Sequence, residues 1–308
     1  MKYLIIGTGG TGGSIGSYLA KSGKDVTFIA RGAHLQAMKE QGLVVHSDRK
    51  GNFIIADVQA STMENYNGRP DVIFVCVKYY SLDETLDFLR RVTDFHTLVI
   101  PILNVFGTGN FLQQKLPETT VLDGCVYIAG KIEAPGIINQ AGTLFRVYFG
   151  FRKGQDRRLV SMAADVAAAL DYAGIDAFFS DDIKRDTLQK FSFVSAMGAA
   201  GLYYHSVSGD FLKQGEQQDT LLGLIREIEL LGKAMGITFT IDLVAQGKEI
   251  LANMPDNITT SMQRDVENGG FSEIDGLIYQ VVQLADEYHV DAPTYRKISA
   301  WAKQSGIK

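Results

Sequence analysis

Cysteine is nearly missing from this chain of 308 residues, with only Cys76 and Cys125 present, both inside apolar β-like runs. Two such cysteines, not spaced as CxxC, exclude a disulfide framework, and a reducing cytoplasmic compartment is expected. The five histidines show neither HxxxH nor HExxH spacing, so no metal site is expected. Six prolines and no low-complexity stretch carry no signature of disorder. No apolar run reaches the ~20 residues that span a bilayer, so no membrane segment is expected. The chain is expected to open directly on a structural strand rather than on a signal peptide. An excess of basic charge is also lacking. Lys and Arg number 30 against 35 Asp and Glu, a net charge of −5, which argues against nucleic acid as the main partner. A small molecule is the expected one.

Glycine, by contrast, is abundant at the start. Lys2-Tyr-Leu-Ile-Ile is a β-rich apolar run, and Gly7, Gly9 and Gly12 follow it as GxGxxG, with Thr8, Gly10 and Thr11 filling the loop. Each glycine has a mechanical task there: a tight turn, close approach of backbone to a pyrophosphate, and close packing of helix on strand. The helix that follows aims free N–H groups and its positive dipole end at phosphates. Gly16 falls one turn beyond Gly12, where a small residue lets the helix lie close to the sheet. A second strand, Asp25 to Ala30, ends on Arg31. An acidic residue at that place bonds the ribose 2′-OH of NAD, whereas arginine suits the 2′-phosphate of NADP. The expected cofactor is NADPH.

The first half alternates strands and helices. Val72–Val77 and Leu98–Leu103 are continuous apolar runs, as expected of parallel strands covered on both faces, and Leu82–Arg91 between them reads as a helix. The pattern predicts a Rossmann-type doubly wound sheet over residues 1–180. Within it, Val121–Gly150 reads as short β pieces with turn signals at Ala134-Pro-Gly136 and Gln140-Ala-Gly142, a meander closing the sheet edge. An all-helical domain is expected over 181–308, with helices at Thr220–Met235, Phe271–Glu287 and Ala292–Lys303. Gly236 should end the first of these.

Ligands of open α/β sheets bind beyond the carboxyl ends of the strands. Lys78 and Asn104 stand just past two such ends, and Asn104 opens Asn-Val-Phe-Gly107. Each reads equally well as a plain loop residue. Farther along, Lys190 begins the apolar stretch Lys-Phe-Ser-Phe-Val-Ser-Ala-Met. A lysine there either snorkels or is held by a partner, and desolvation would suit it to general-acid work. Glu273, just inside a helix start, and Ser261 upstream of it are further candidates.

Seven pieces in order and spacing, Gly7-Thr-Gly-Gly-Thr-Gly12, Ala30-Arg-Gly-Ala-His-Leu35, Val77-Lys78, Asn104-Val-Phe-Gly107, Pro135-Gly-Ile, Lys190-Phe and Ser261-Met with Glu273-Ile-Asp275, resemble the ketopantoate reductase (2-dehydropantoate 2-reductase) family. The resemblance runs from Gly7 nearly to the C-terminus. It implies NADPH-dependent reduction of the 2-oxo group of ketopantoate to pantoate, on the route to pantothenate and coenzyme A. It implies Lys190 as the general acid, Glu273 holding the substrate hydroxyl and setting the lysine, and Ser261 at the substrate end. It places Asn104 near nicotinamide and substrate, and Arg31 and Lys78 on the cofactor. A homodimer is left open. The departure is equally specific. Asparagines that the family carries four and eight residues after the lysine are Val194 and Gly198 here, and a preceding tryptophan is Leu188. Ser192 or Ser195 could take over the lost hydrogen bonds. Three readings follow: a ketopantoate reductase, a reductase of another 2-oxo acid, or a non-catalytic NADP(H) sensor, against which the retained Lys190 and Glu273 weigh.

Overall fold

The computed structural model describes residues 1–307, which fall into two compact units. One comprises Met1–Leu103 with Gly107–Ile183, the other Asn104–Phe106 with Lys184–Lys308. The three-residue segment Asn104–Phe106 therefore belongs with the helices, although it sits in the sequence between two pieces of the N-terminal unit.

The N-terminal unit runs β1 (Lys2–Ile6), α1 (Gly10–Lys21), β2 (Asp25–Ile29), α2 (Gly32–Gln41), β3 (Leu43–Ser47), β4 (Phe53–Ile55), β5 (Gln59–Ser61) and β6 (Val72–Val75). It continues through α3 (Leu86–Val92), β7 (Leu98–Pro101), α4 (Thr108–Lys115), β8 (Thr120–Val121), β9 (Asp123–Ala134), β10 (Ile137–Gly150), α5 (Val160–Ala173) and β11 (Asp176–Phe179). Six strands form one all-parallel sheet in the order β5-β2-β1-β6-β7-β8. Successive residues of a strand point to opposite faces. Leu4 and Ile6 accordingly enter one core with α3 and α4, and Tyr3 and Ile5 enter the other with α1 and α5. Both faces are covered, which is why these strands read as unbroken apolar runs. The chain reverses its winding between β1 and β6, the place where doubly wound sheets bind ligands.

Two expectations needed correction. Leu82–Arg91 is not one helix: 3₁₀ turns at Tyr79–Ser81 and Asp83–Thr85 precede α3. Thr85 Oγ1 donates to the Leu82 carbonyl at 2.7 Å, a local bond that competes with the α-helical ladder. The β pieces after Val121 do not close the first sheet either. They are the long hairpin β9–β10, in a second sheet ordered β11-β10-β3-β4 with β9 on the other edge of β10. Pro135-Gly136 makes its turn, whereas Gln140-Ala-Gly142 lies within β10 where the pairing register shifts. Strands more than 80 residues apart pair here, which no local pattern announces.

α1 packs against both sheets. A Cβ on Gly16 would collide with the Phe28 ring and lie 2.8 Å from Ile5 Cγ1. Gly16→Ala is therefore expected to destabilise by about 1–3 kcal/mol through overpacking. That exceeds the ~1 kcal/mol of helix propensity gained. A urea midpoint that rises in the variant would show that α1 has room to spare.

The C-terminal unit is helical: α6 (Ile183–Tyr204), α7 (Glu216–Ala234), α8 (Leu243–Ala252), α9 (Ser261–Glu267), α10 (Gln280–Glu287) and α11 (Pro293–Gln304). Gly236, at φ +75°, does end α7, with Ile237 N–H donating to the Gly232 carbonyl at 2.9 Å. The segment Asp275–Tyr279 just before α10 is a π turn. Among the described residues no helix is long and apolar enough to cross a membrane.

Candidate active site

The glycine loop of the N-terminal unit is built by collisions that only glycine avoids. Gly7 follows β1 at φ +90°, and a Cβ there would lie 2.9 Å from the Cys76 carbonyl. A Cβ on Gly12 would strike the Gly7 carbonyl oxygen, and one on Gly10 the backbone of Gly130 in β9. Gly9, the N-cap of α1, is the opposite case: nothing lies within 4 Å of where its Cβ would be. The first turn of α1 carries no acidic residue, so its positive end faces that open space uncompensated. A crowded floor, an open lip and an unneutralised helix start fit a pyrophosphate. Thr8 is not part of that lip. Its N–H and its hydroxyl both donate to the Ile29 carbonyl, at 3.2 and 2.9 Å, which ties the loop to the end of β2. Its contribution is the loop's shape, because its donors are already spent. Thr11 is half-buried in the first turn of α1.

Arg31 stands exposed just after β2, as the N-cap of α2, and Lys78 is half-buried just after β6. His34, within the same motif as Arg31, accepts the Gly136 N–H on Nδ1 at 3.0 Å. This bond joins α2 to the turn of the β9–β10 hairpin. Burial pushes the His34 imidazole below its usual range, a proximity to the Thr8 backbone opposing this.

In the helical unit Lys190 lies in the first half of α6, not at its start, and is only 5% exposed. Its Nζ donates to Asn104 Oδ1 at 2.6 Å, a bond across 86 positions of sequence. A buried ammonium needs such partners, since an uncompensated one would cost several kcal/mol. Asn104 is held in turn by its own segment. The Phe106 ring packs on Phe191, centroids 6.1 Å apart, and the Phe106 carbonyl accepts Gln280 Nε2 at 3.0 Å.

Val194 and Gly198 follow Lys190 at intervals of four, so they share its side of α6. Val194 is half-buried, and Gly198 is covered by α9, with Met262 Cε 3.0 Å from where a Cβ would stand. The serines do not replace the missing amides. Ser192 donates to the Gln189 carbonyl at 2.7 Å, and Ser195 donates to the Leu277 carbonyl at 2.5 Å. Both hydroxyl protons are committed to the fold, which corrects the expectation that either serves a substrate.

Ser261 is the first residue of α9, half-buried, and is set by the capping box of Thr260 and Gln263. Gln263 is buried, and its Nε2 donates to the Ser206 carbonyl at 2.9 Å. Glu273 is 2% exposed at the foot of the helical stretch that begins at Ile274, its carbonyl accepting the Leu277 N–H at 2.9 Å. Sequence reading passed over Gln280, Tyr295 and Glu227, which fasten this region. Nothing local marks them, because their partners lie 67 to 174 positions away.

The profile described as ketopantoate reductase PanE/ApbA matches residues 3–154, and its C-terminal counterpart matches residues 182–305. The chain belongs to the ketopantoate reductase family. An uncharacterised oxidoreductase of Bacillus subtilis, YkpB, is 27% identical over 97% of each chain. Further relatives named 2-dehydropantoate 2-reductase share 22–27% identity. The crystal structure of 2-dehydropantoate 2-reductase from Porphyromonas gingivalis is 29% identical, covers 97% of each chain and superposes with a TM-score of 0.78. D-mandelate dehydrogenase, solved with NADH and anilino(oxo)acetate, shares the fold at 19% identity, with a TM-score of 0.86 over 97% of this chain and 96% of that one. This ketopantoate reductase family member is thus an oxidoreductase of that type, built on the Rossmann-like sheet and helical region described above.

Proposed function

We propose that the protein reduces a 2-oxo acid to the 2-hydroxy acid with NADPH, the N-terminal unit holding the cofactor and the helical unit supplying the proton. The observation that carries this reading is the buried Lys190 ammonium bonded to Asn104 at 2.6 Å. The fit of the Gly7–Gly12 loop to a pyrophosphate supports the cofactor half. Bound NADPH supplies a hydride for the carbonyl carbon. Lys190 Nζ then gives a proton to the carbonyl oxygen, so hydride and proton together convert C=O to CH–OH. Asn104 Oδ1 keeps the ammonium aimed. Glu273 holds the substrate hydroxyl and sets the lysine, and Ser261 binds the substrate end. Arg31 and Lys78 contact the cofactor, Arg31 at its 2′-phosphate. The compartment proposed is the reducing cytosol.

Ketopantoate is the first substrate to try, on the strength of family membership. A second reading, another 2-oxo acid with an apolar end, is favoured by Val194, Gly198 and the committed hydroxyls of Ser192 and Ser195. Following NADPH oxidation against a panel of 2-oxo acids tests both, and no turnover with any of them would leave a sensor role. The double substitution Val194→Asn with Gly198→Asn separates the substrates. At the second position an added Cβ meets only the flexible tip of Met262, 3.0 Å away. Under the apolar-end reading, kcat/KM for ketopantoate should rise severalfold, because one good hydrogen bond is worth about tenfold at most. A wild-type protein that already reduces ketopantoate well, and loses activity on this change, would sink that reading.

A further inference from the structure

The stretch that begins at Glu273 is fastened to α6 through an unusual element. Residues Asp275–Tyr279 wind as a π turn, in which Gln280 N–H reaches back five residues to the Asp275 carbonyl. Such turns widen the helix, shift the phase of everything beyond them and concentrate at functional sites. In the middle of this one, the Leu277 carbonyl accepts Ser195 Oγ at 2.5 Å. Ser195 in turn lies 2.6 Å from the Tyr295 hydroxyl. Both side chains are wholly buried.

The direction of the protons is decided by valence. A carbonyl can only accept, so the single Ser195 proton is committed to Leu277. Tyr295 must therefore donate to Ser195. Burial and the nearby Glu227 carboxylate push the Tyr295 phenol far above its usual range, so it stays a donor at any working pH. Tyr295 is itself pinned. The buried Glu227 carboxylate of α7 accepts the backbone N–H groups of Thr294 and Tyr295, at 2.8 and 3.0 Å, at the start of α11. One chain of bonds thus runs from α7 through α11 and α6 to the π turn. It ends four residues from Glu273 and passes through α6 at Ser195, five residues from Lys190.

We propose that Ser195, oriented by Tyr295, is a positioning residue that fixes where Glu273 stands relative to the Lys190 helix by clamping the Leu277 carbonyl of the π turn. The proposal rests on the reading of Glu273 as a substrate-holding group. A shift of ~1 Å in such a group can cost up to a hundredfold in rate. Ser195→Ala and Tyr295→Phe each remove one hydroxyl and add no bulk.

The test is a cycle of Ser195→Ala, Glu273→Gln and the double variant, assayed on the best 2-oxo acid of the panel, with Tyr295→Phe as an independent second break of the clamp. Ser195→Ala and Tyr295→Phe are each expected to lower kcat about tenfold, on the scale of a partial misplacement. NADPH affinity, measured by calorimetry, should stay unchanged. In the Glu273→Gln background, Ser195→Ala should cost less than about twofold more, because the group it positions is already gone. A full tenfold loss in that background would overturn the proposal, since Ser195 would then act independently of Glu273. So would a kcat unchanged in both Ser195→Ala and Tyr295→Phe while Glu273→Gln is severely impaired. Near wild-type turnover in Glu273→Gln itself would instead overturn the reading of Glu273, and the proposal with it.

Discussion

Lys190→Ala is expected to lower kcat by about 10²–10⁴ while NADPH binds as before, the range for loss of a positioned general acid. The split follows from the structure. Lys190 lies in the helical unit and is tied to Asn104, whereas the glycine loop and Arg31 lie in the N-terminal unit. Removing the ammonium also leaves Asn104 Oδ1 without that donor, so some local rearrangement of Asn104–Phe106 will accompany the loss. Lys190→Arg keeps the charge but brings a planar fork that gives up a proton far less readily, and it should recover little activity. Turnover is measured at saturating substrate and NADPH binding by calorimetry. A Lys190→Ala variant that turns over at near the wild-type rate would show that another group delivers the proton.

NADPH is expected to bind at least tenfold more tightly than NADH, and Arg31→Ala should remove most of that preference. One charge-assisted contact to a phosphate contributes roughly 1.5–3 kcal/mol, or about ten- to a hundredfold. Arg31 is exposed at the start of α2, immediately beyond β2, where the side chain that reads the 2′ position stands in this fold. Its exposure places the effect toward the lower end of that range, and raising the salt concentration should shrink it. Equal dissociation constants for the two cofactors in the wild-type protein would refute the assignment.

The glycine loop was readable in advance because its causes are local. Gly12 and Gly16 collide with Gly7, Ile5 and Phe28 of the same β-α-β unit if given a side chain, and Gly7 turns at φ +90°, so glycine at these places follows from the local chain, although Gly7 also abuts the distant Cys76. Apolar runs such as Val72–Val75 were readable because a strand covered on both faces has no polar side to show. The helices of the second half were readable from their period. Reading failed where the cause was remote. β3 joins the second sheet by pairing with β10, more than 90 positions away, and β4 follows on the edge of β3, so the local pattern of Val121–Gly150 by itself points only to an edge of the first sheet. Ser192 and Ser195 looked free to serve a substrate because their acceptors, the Gln189 and Leu277 carbonyls, are backbone groups that leave no trace in residue type.

By itself, the amino-acid sequence determined the sheet's glycine loop, its following helix, the cation after β2 and the helical periodicity of the second half. These rest on collisions and periodicities that span a few turns of chain, so residue identity and spacing suffice. The tertiary structure alone decided that Asn104–Phe106 belongs with the helical unit, that Asn104 receives the Lys190 ammonium, and that Ser195 and Tyr295 clamp a π turn beside Glu273. The last two rest on bonds between groups 82 to 100 residues apart, and such a bond exists only once the packing that desolvates both partners has formed.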